Sequence, residues 1–289
     1  MTIKQILKKY HKLEIELLLA HVLKKQKEFL YLNKDHRLTN RQMSQISQMV
    51  KRREKGEPIA YILGYKDFMG HRFKVNKDVL IPRPETEGLV EKVIEHITRS
   101  MEQKNPIRIL DVGTGSGCII ISLAKGLRAK GIEFYASDIS KKALAVAKAN
   151  ARNLLPPHPS SPSGGEEKGG GLRIKFIHSD ILQNVRMNFD VIVANLPYVP
   201  KKYYVSSIKY LRWEPKIALV DPIKDFDVYR RFFIEVGGHL NPKGVILLEI
   251  DPSSRKSLKG YQQKFLPKAK IKFHKDFNNL WRYAEIKLR

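Results

Sequence analysis

A glycine-rich loop is the first feature of this sequence with the residue types for binding a ligand. It runs Asp111-Val112-Gly113-Thr114-Gly115-Ser116-Gly117. Glycines let the backbone turn tightly and approach a ligand without a clash at Cβ, and a helix that starts there offers unpaired N–H donors. The G-x-G-x-G spacing differs from the G-x-G-x-x-G of dinucleotide-binding loops. With an acidic residue before the first glycine, the loop predicts a nucleotide-like cofactor that carries a sulfonium amino acid and no pyrophosphate. The alternative is an ordinary glycine-rich turn.

Two aspartates at predicted strand ends are candidates for the same cofactor. Asp138 stands 21 residues beyond Gly117, where a carboxylate accepts hydrogen bonds from the two hydroxyls of a ribose. Its alternative role is to cap the helix that follows Ser140. Asp180 follows the next predicted strand, where its carboxylate would accept a hydrogen bond from an adenine amine. The alternative is an ordinary aspartate at a strand end.

The tetrapeptide Asn195-Leu196-Pro197-Tyr198 follows a predicted strand, at the edge of the sheet where open α/β sheets bind ligands. A planar –NH2 group is a poor nucleophile because its lone pair is delocalised, as in a peptide bond. The Asn195 side-chain oxygen and the Leu196 carbonyl have the chemistry to accept both of its hydrogens and orient it towards a methyl donor. Tyr198 would pack against the flat group, and Pro197 would stiffen the turn. The alternative is a turn that only ends the strand.

The elements that would position these residues alternate between strand and helix, which is typical of a parallel α/β sheet covered on both faces. Residues 156–171 consist almost wholly of Pro, Ser, Gly, Glu and His, and they predict a disordered insertion without a catalytic role. The predicted strands are Ile107–Val112, Ile132–Ser137, Ile174–His178, Val191–Ala194 and Val245–Ile250.

The first part of the chain has a different pattern. From Ile3 to Arg53 the apolar residues recur at helical spacing without Pro or Gly, and Thr39 with Gln42 predicts a capping box. The segment Phe68–Val75 predicts a β-hairpin. We therefore divide the chain into a helical domain (1–58), a hairpin linker (59–83) and an α/β domain (84–289).

The composition excludes several classes of protein. No apolar run is long enough to span a bilayer, and Cys118 is the only cysteine, so we expect a cytoplasmic protein without a disulfide. The nine histidines show no metal-ligand spacing, and no metal is predicted. The formal net charge of +25 would attract RNA, although a lysine-rich composition explains it equally well.

At this level of detail the chain resembles the release-factor glutamine methyltransferases. These enzymes modify the glutamine of the Gly-Gly-Gln loop in bacterial and organellar peptide chain release factors. The most specific match is P-R-P-E-T-E at Pro82–Glu87. For Arg83 and Glu85 within it we expect an architectural or a substrate-contacting role, and the alternative is a surface ion pair. Other matching stretches are Arg53–Gly64, Phe68–Val75, Val79–Ile81, Glu214-Pro215, Ala218-Leu219, Tyr229-Arg230-Arg231 and Leu248-Glu249-Ile250.

The resemblance implies a class I (Rossmann-like) seven-stranded sheet, a small N-terminal all-α domain for substrate recognition and a hairpin between them. It implies S-adenosylmethionine as cofactor and a release factor as protein substrate. We also expect a monomer. Asn195, Pro197 and Tyr198 would then be catalytic, and with Leu196 they would bind the substrate amide. The cofactor would be bound by Gly113, Thr114, Gly115, Ser116, Gly117, Asp138, Asp180, Ile181 and Asn195.

Two residues depart from the family pattern, and two rival functions stay open. Leu196 stands where the family has proline, and the resulting N-L-P-Y is also similar to RNA adenine dimethylases. Ile181 stands where an aromatic residue often packs near the adenine. The first rival is methylation of an adenine amine in RNA. The second is a noncatalytic RNA- or ribosome-binding protein on the same fold.

Overall fold

The computed structural model describes residues 1–10, 14–100, 106–127, 131–155, 173–221, 223 and 225–288. The insertion predicted at 156–171 lies outside these residues. The chain divides into two compact units, Met1–Tyr65 and Lys66–Arg289. Within the described ranges, no helix is both long enough and apolar enough to cross a membrane.

The N-terminal unit consists of short helices around an apolar core. The Thr39 hydroxyl accepts from the Gln42 N–H (3.2 Å), and the Gln42 side chain accepts from the Thr39 N–H (2.9 Å), so the predicted capping box is confirmed. Buried Ile6, Leu19 and Leu30 fill the core, which explains the helical spacing of the apolar residues. The helices are α1 Ile3–Lys9, α2 Glu14–Leu23, α3 Lys27–Leu32, α4 Asn40–Glu54 and α5 Ile59–Leu63.

The segment predicted as a linker contains more than a hairpin. It begins with the helix α5, which Gly64 ends at φ 80°. The five residues of α5 include no charged side chain, so they show no alternation of apolar and polar residues at helical spacing. The sequence pattern therefore does not predict this helix. The hairpin follows, with strands β1 Tyr65–Phe68 and β2 His71–Lys74. Met69 and Gly70 between them both have positive φ, as a tight two-residue hairpin turn requires.

The larger unit is built on a seven-stranded sheet. The strands are β3 Ile107–Val112, β4 Ile132–Asp138, β5 Ile174–His178, β6 Phe189–Ala194, β7 Leu240–Glu249, β8 Ala269–Lys275 and β9 Trp281–Leu288. Their spatial order is β5-β4-β3-β6-β7-β9-β8, and β9 is antiparallel to both β7 and β8 while the other pairs are parallel. The sequence predicted a parallel sheet; β9 departs from it because the short turn after β8 returns the chain in the opposite direction.

Helices cover both faces of this sheet, which confirms the predicted α/β class. Alternate residues of each strand face opposite sides. Ile109 packs with side chains of the helices at 85–100 and 118–127, while Leu110 packs with those of the helices at 227–236 and 255–265. Burying each such aliphatic side chain stabilises the fold by roughly 1.5–3 kcal/mol. The helices are α6 Glu85–Ser100, α7 Cys118–Leu127, α8 Lys141–Leu154, α9 Lys201–Ser206, α10 Ile208–Leu211, α11 Asp227–Val236 and α12 Arg255–Phe265.

The strand order reverses between β3 and β6, and this reversal positions the site. From β3 the chain continues to β4 and β5 on one side, and it then returns to form β6 on the other. The loops after β3 and β6 therefore diverge and leave a crevice at the carboxyl ends of the strands. A crevice of this kind is where open α/β sheets bind ligands.

Candidate functional site

A cavity of about 160 Å³ lies in this crevice. It brings together the loop after β3, the end of β4, the turn after β5 and the tetrapeptide after β6. Three predicted residues of the glycine loop do not line this cavity: Thr114, Ser116 and Gly117. Tyr198 lines a separate cavity. The predicted site residues that line the first cavity are Gly113, Gly115, Asp138, Asp180, Ile181, Asn195, Leu196 and Pro197.

The glycine loop has a backbone that side chains would disrupt. Gly113, Gly115 and Gly117 have φ of 74°, 56° and 80°, in the left-handed region that favours glycine. At Gly117 a Cβ would also lie 2.9 Å from the Ile121 side chain. The N–H groups of Gly113 and Thr114 both donate to the Ser137 carbonyl at 2.9 Å, which fixes the loop over the end of β4.

Asp111 lies beneath the loop and is fully buried. Burial raises the pKa of its carboxyl to about 7, although a hydrogen bond from the Thr114 hydroxyl (2.6 Å) opposes the rise. Its second oxygen, Oδ1, has no hydrogen-bond partner within the described part of the chain. The Asp111 carboxyl therefore holds the loop through Thr114, and it is a buried group that gains or loses its proton near neutral pH.

The helix cap considered for Asp138 is instead Ser140, whose hydroxyl accepts the Ala143 N–H. Asp138 contacts the residue before α8 and the glycine loop through its two carboxylate oxygens. Its Oδ1 accepts the Ser140 N–H at 2.8 Å, at the start of α8, and its Oδ2 accepts the Gly115 N–H at 2.9 Å. Burial raises the pKa of this carboxyl, and the two hydrogen bonds counteract that rise. Each carboxylate oxygen accepts more than one hydrogen bond, so the side chain retains acceptor capacity towards the cavity that it lines.

The turn after β5 forms the opposite wall. Asp180 is paired with Arg231 at 2.5 Å, a partner that local sequence did not indicate. Ile181 is buried and has φ 49°, which is strained for a β-branched side chain and costs of order 1–3 kcal/mol. The fold therefore imposes this conformation on a residue that lines the cavity.

Asn195 has a defined orientation in the structure. Its Nδ2 donates to the Thr86 hydroxyl at 3.2 Å. Within the described residues, neither its Oδ1 nor the Leu196 carbonyl accepts a hydrogen bond. Two oxygen acceptors therefore remain available on adjacent residues of the tetrapeptide.

A second cavity of about 110 Å³ lies beside the first, and Asn195 and Leu196 line both. Tyr198 and Arg83 line the second cavity. The Tyr198 hydroxyl donates to Glu249 Oε1 at 2.7 Å. Burial, followed by the nearby Glu249 carboxyl, raises the pKa of Tyr198 well above its usual value, so Tyr198 is a neutral phenol and not a base at neutral pH.

Residues from outside the four loops also hold the site together. Arg83, from the P-R-P-E-T-E stretch, pairs with the buried Glu214 at 2.5 Å, and Glu214 also accepts the Ile81 N–H. Thr86 from the same stretch and Glu249 at the end of β7 lie behind the tetrapeptide. The motif match was the only signal for them, because their contacts span more than 50 residues of sequence. No group of three His, Cys, Asp or Glu side chains suited to a metal occurs in the described ranges.

Comparisons with known proteins agree with this architecture. Residues 3–64 match the PrmC N-terminal domain, and residues 90–209 match the methyltransferase small domain. The solved hMettl16 catalytic domain, in complex with MAT2A 3′UTR hairpin 6, has a TM-score of 0.55 at 16% identity. It covers 93% of this chain and 92% of that one, and at this identity it shows the fold alone.

Curated relatives match nearly the whole chain. The release factor glutamine methyltransferase of Bacillus anthracis is 34% identical over 277 residues, 94% of this chain and 91% of the relative. That of Chlorobaculum tepidum is 36% identical over 246 residues, 83% of this chain and 78% of the relative. With such identity over both units, the chain belongs to the family of release factor glutamine methyltransferases.

Proposed function

We propose that this chain transfers a methyl group from S-adenosylmethionine to the side-chain amide nitrogen of the glutamine in the Gly-Gly-Gln motif of a peptide chain release factor. One observation carries the proposal. Asn195 Oδ1 and the Leu196 carbonyl are acceptors without partners among the described residues, on the wall that two cavities share. A primary amide has two N–H hydrogens to donate to such a pair.

The first cavity fits the cofactor. The backbone at Gly113 and Gly115 has no Cβ to obstruct a close approach, and Asp138 offers carboxylate lone pairs suited to ribose hydroxyls. Asp180 and Ile181 would lie near the adenine, while Thr114, Ser116 and Gly117 keep the loop in shape. When bound, S-adenosylmethionine supplies an electrophilic methyl group on a positively charged sulfur.

The second cavity would admit the glutamine side chain. Its amide N–H groups would donate to Asn195 Oδ1 and to the Leu196 carbonyl, which directs the nitrogen lone pair at the methyl carbon. The N–C bond would form as the S–C bond of the donor breaks, and the nitrogen would then release one proton to water. Tyr198 would pack against the amide plane, and Pro197 would keep the turn rigid. Because Tyr198 is a neutral phenol, catalysis rests on orientation and hydrogen-bond acceptance and not on a strong base.

The remaining parts of the proposal concern partners and location. The names of the relatives supply the release factor as substrate. A single chain provides both cavities, so a monomer suffices for the reaction. A cytoplasmic location fits a modifier of translation factors. The net charge of +25 supports nonspecific contact with RNA or the ribosome.

Transfer of labelled methyl tests this proposal against both rivals. The substrates are a purified release factor, the same factor with alanine in place of the Gly-Gly-Gln glutamine, and bulk ribosomal RNA. We expect label on the unaltered factor alone. Label on RNA alone would overturn the substrate assignment. No label on any substrate, with cofactor demonstrably bound, would favour the noncatalytic alternative.

A further inference from the structure

Two buried residues behind the tetrapeptide hold it at both ends. Thr86 lies in the first turn of α6, and Glu249 is the last residue of β7. Both side chains are buried, and neither lines the two cavities. Thr86 accepts a hydrogen bond from Asn195 Nδ2 (3.2 Å), and Glu249 accepts one from the Tyr198 hydroxyl (2.7 Å).

Thr86 and Glu249 also interact with each other. Burial raises the pKa of Glu249, and the nearby hydroxyls of Tyr198 and then Thr86 lower it. Glu249 Oε2 nevertheless has no partner of good hydrogen-bond geometry among the described residues, and the other oxygen is occupied by Tyr198. The Thr86 hydroxyl therefore has a carboxyl oxygen towards which to direct its single proton.

The direction of that proton matters because an asparagine amide is nearly symmetric in shape. A half-turn about its last side-chain bond exchanges the oxygen acceptor for the –NH2 donor. A threonine hydroxyl accepts either orientation in principle, since it both donates and accepts. When the single O–H of Thr86 donates a hydrogen bond to a carboxylate oxygen, only the lone pairs of the hydroxyl remain for a second partner. These lone pairs accept a hydrogen bond from the Asn195 –NH2 and would not bind its oxygen.

We propose that Thr86 and Glu249 are positioning residues that fix which end of the Asn195 amide faces the substrate. The Thr86 O–H donates a hydrogen bond to Glu249 Oε2, the Thr86 oxygen accepts one from Asn195 Nδ2, and Asn195 Oδ1 is left to face the substrate amide. In the reversed orientation Asn195 would present N–H donors to the N–H donors of the substrate. The inference rests on the proposed function and gives a role to the threonine of the P-R-P-E-T-E stretch, which the cofactor and substrate contacts leave unexplained.

Substitutions at Thr86 separate orientation from mere packing. Thr86→Val keeps the shape and removes the hydroxyl, and we expect kcat to fall about tenfold to hundredfold, with KM and cofactor Kd little changed. Thr86→Ser keeps the hydroxyl and should restore most of kcat. The matched control is Ser122→Ala, which removes a buried hydroxyl that has no hydrogen-bond partner in the described residues and should leave kcat unchanged.

A second measurement does not depend on catalysis. The side-chain amide signal of Asn195, identified by its loss in Asn195→Asp, should shift in Thr86→Val and in Glu249→Ala and keep its position in Thr86→Ser. Unchanged kcat and an unchanged signal in Thr86→Val would overturn the inference while the proposed function stands. If the unaltered enzyme methylates no release factor, the proposed function fails, and the amide signal alone decides the orientation.

Discussion

At the scale of single residues, the site contains side chains that are held by hydrogen bonds within the protein and still have an oxygen that can accept a hydrogen bond from a ligand. Asn195 is bonded through its nitrogen and keeps its oxygen, and Asp138 holds two backbone N–H groups and keeps further lone pairs. Preorganised acceptors of this kind need no rearrangement when the substrate arrives. The consequences of single substitutions follow from which of these groups each substitution removes.

Asn195→Ala should reduce methyl transfer far more than cofactor binding. In the proposed mechanism the variant loses one of the two acceptors for the substrate amide. We expect kcat to fall about a hundredfold to a thousandfold while the cofactor Kd changes by less than about threefold. Single-turnover transfer and equilibrium titration of the cofactor measure the two quantities. Asn278→Ala, in an exposed turn, is the matched control. Equal losses of rate and affinity would contradict the assigned role.

Asp111 should make the stability of the cofactor-free protein depend on pH. The unfolded carboxyl releases its proton near pH 4, whereas the folded one keeps it to about pH 7. The unfolded state therefore binds fewer protons across this interval, and stability falls as pH rises through it, by at most ~4 kcal/mol from this group. We expect thermal unfolding at a series of pH values to show a flatter dependence for Asp111→Asn. Parallel curves for the two proteins would refute this assignment, because the other titrating groups are common to both.

At the scale of elements, the loop after β3 and the tetrapeptide after β6 were predictable because binding a ligand places demands on local sequence. The glycines of the loop have φ values that other residues rarely adopt, and the tetrapeptide begins with a polar asparagine directly after an apolar strand. The bond from Asn195 to Thr86 spans 109 residues and leaves no local pattern. The positive φ of Ile181 likewise results from tertiary structure and not from its own preference.

Gly117→Ala should destabilise the protein and weaken cofactor binding. The new Cβ would occupy a left-handed backbone and lie 2.9 Å from Ile121 Cδ1 and 3.2 Å from Ala147 Cβ. We expect a loss of about 2–4 kcal/mol in the free energy of unfolding. Gly260→Ala, in α12 with open space around it, is the control and should stabilise by about 0.5–1 kcal/mol. Urea unfolding measures the free energy of unfolding of both variants. A Gly117→Ala variant as stable as the unaltered protein would contradict the steric constraint inferred for the loop.

At the scale of the whole molecule, alternation of strand and helix predicted the α/β sheet, and helical spacing predicted the N-terminal unit. The antiparallel strand β9 was not predicted, since its direction is set by the turn after β8 and not by its own residues. The meaning of the +25 charge also could not be obtained from sequence. Charge acts through the field of the molecule and does not identify a partner.

If the charge serves only nonspecific contact, binding to RNA should be independent of sequence and strongly dependent on salt. Between about 50 and about 200 mM salt we expect the RNA affinity to fall by orders of magnitude, because bound counterions are released on binding. Fluorescence anisotropy with two unrelated RNAs of equal length measures this. A marked preference for one RNA, with weak salt dependence, would instead support RNA as a substrate.

The most direct test of the central claim is to locate the methyl group. A purified release factor is incubated with the enzyme and S-adenosylmethionine carrying a deuterated methyl group, digested, and analysed by tandem mass spectrometry. The account predicts the added mass on the side chain of the Gly-Gly-Gln glutamine. A methyl group on any other residue of the factor, or a factor without added mass after complete incubation, would contradict it.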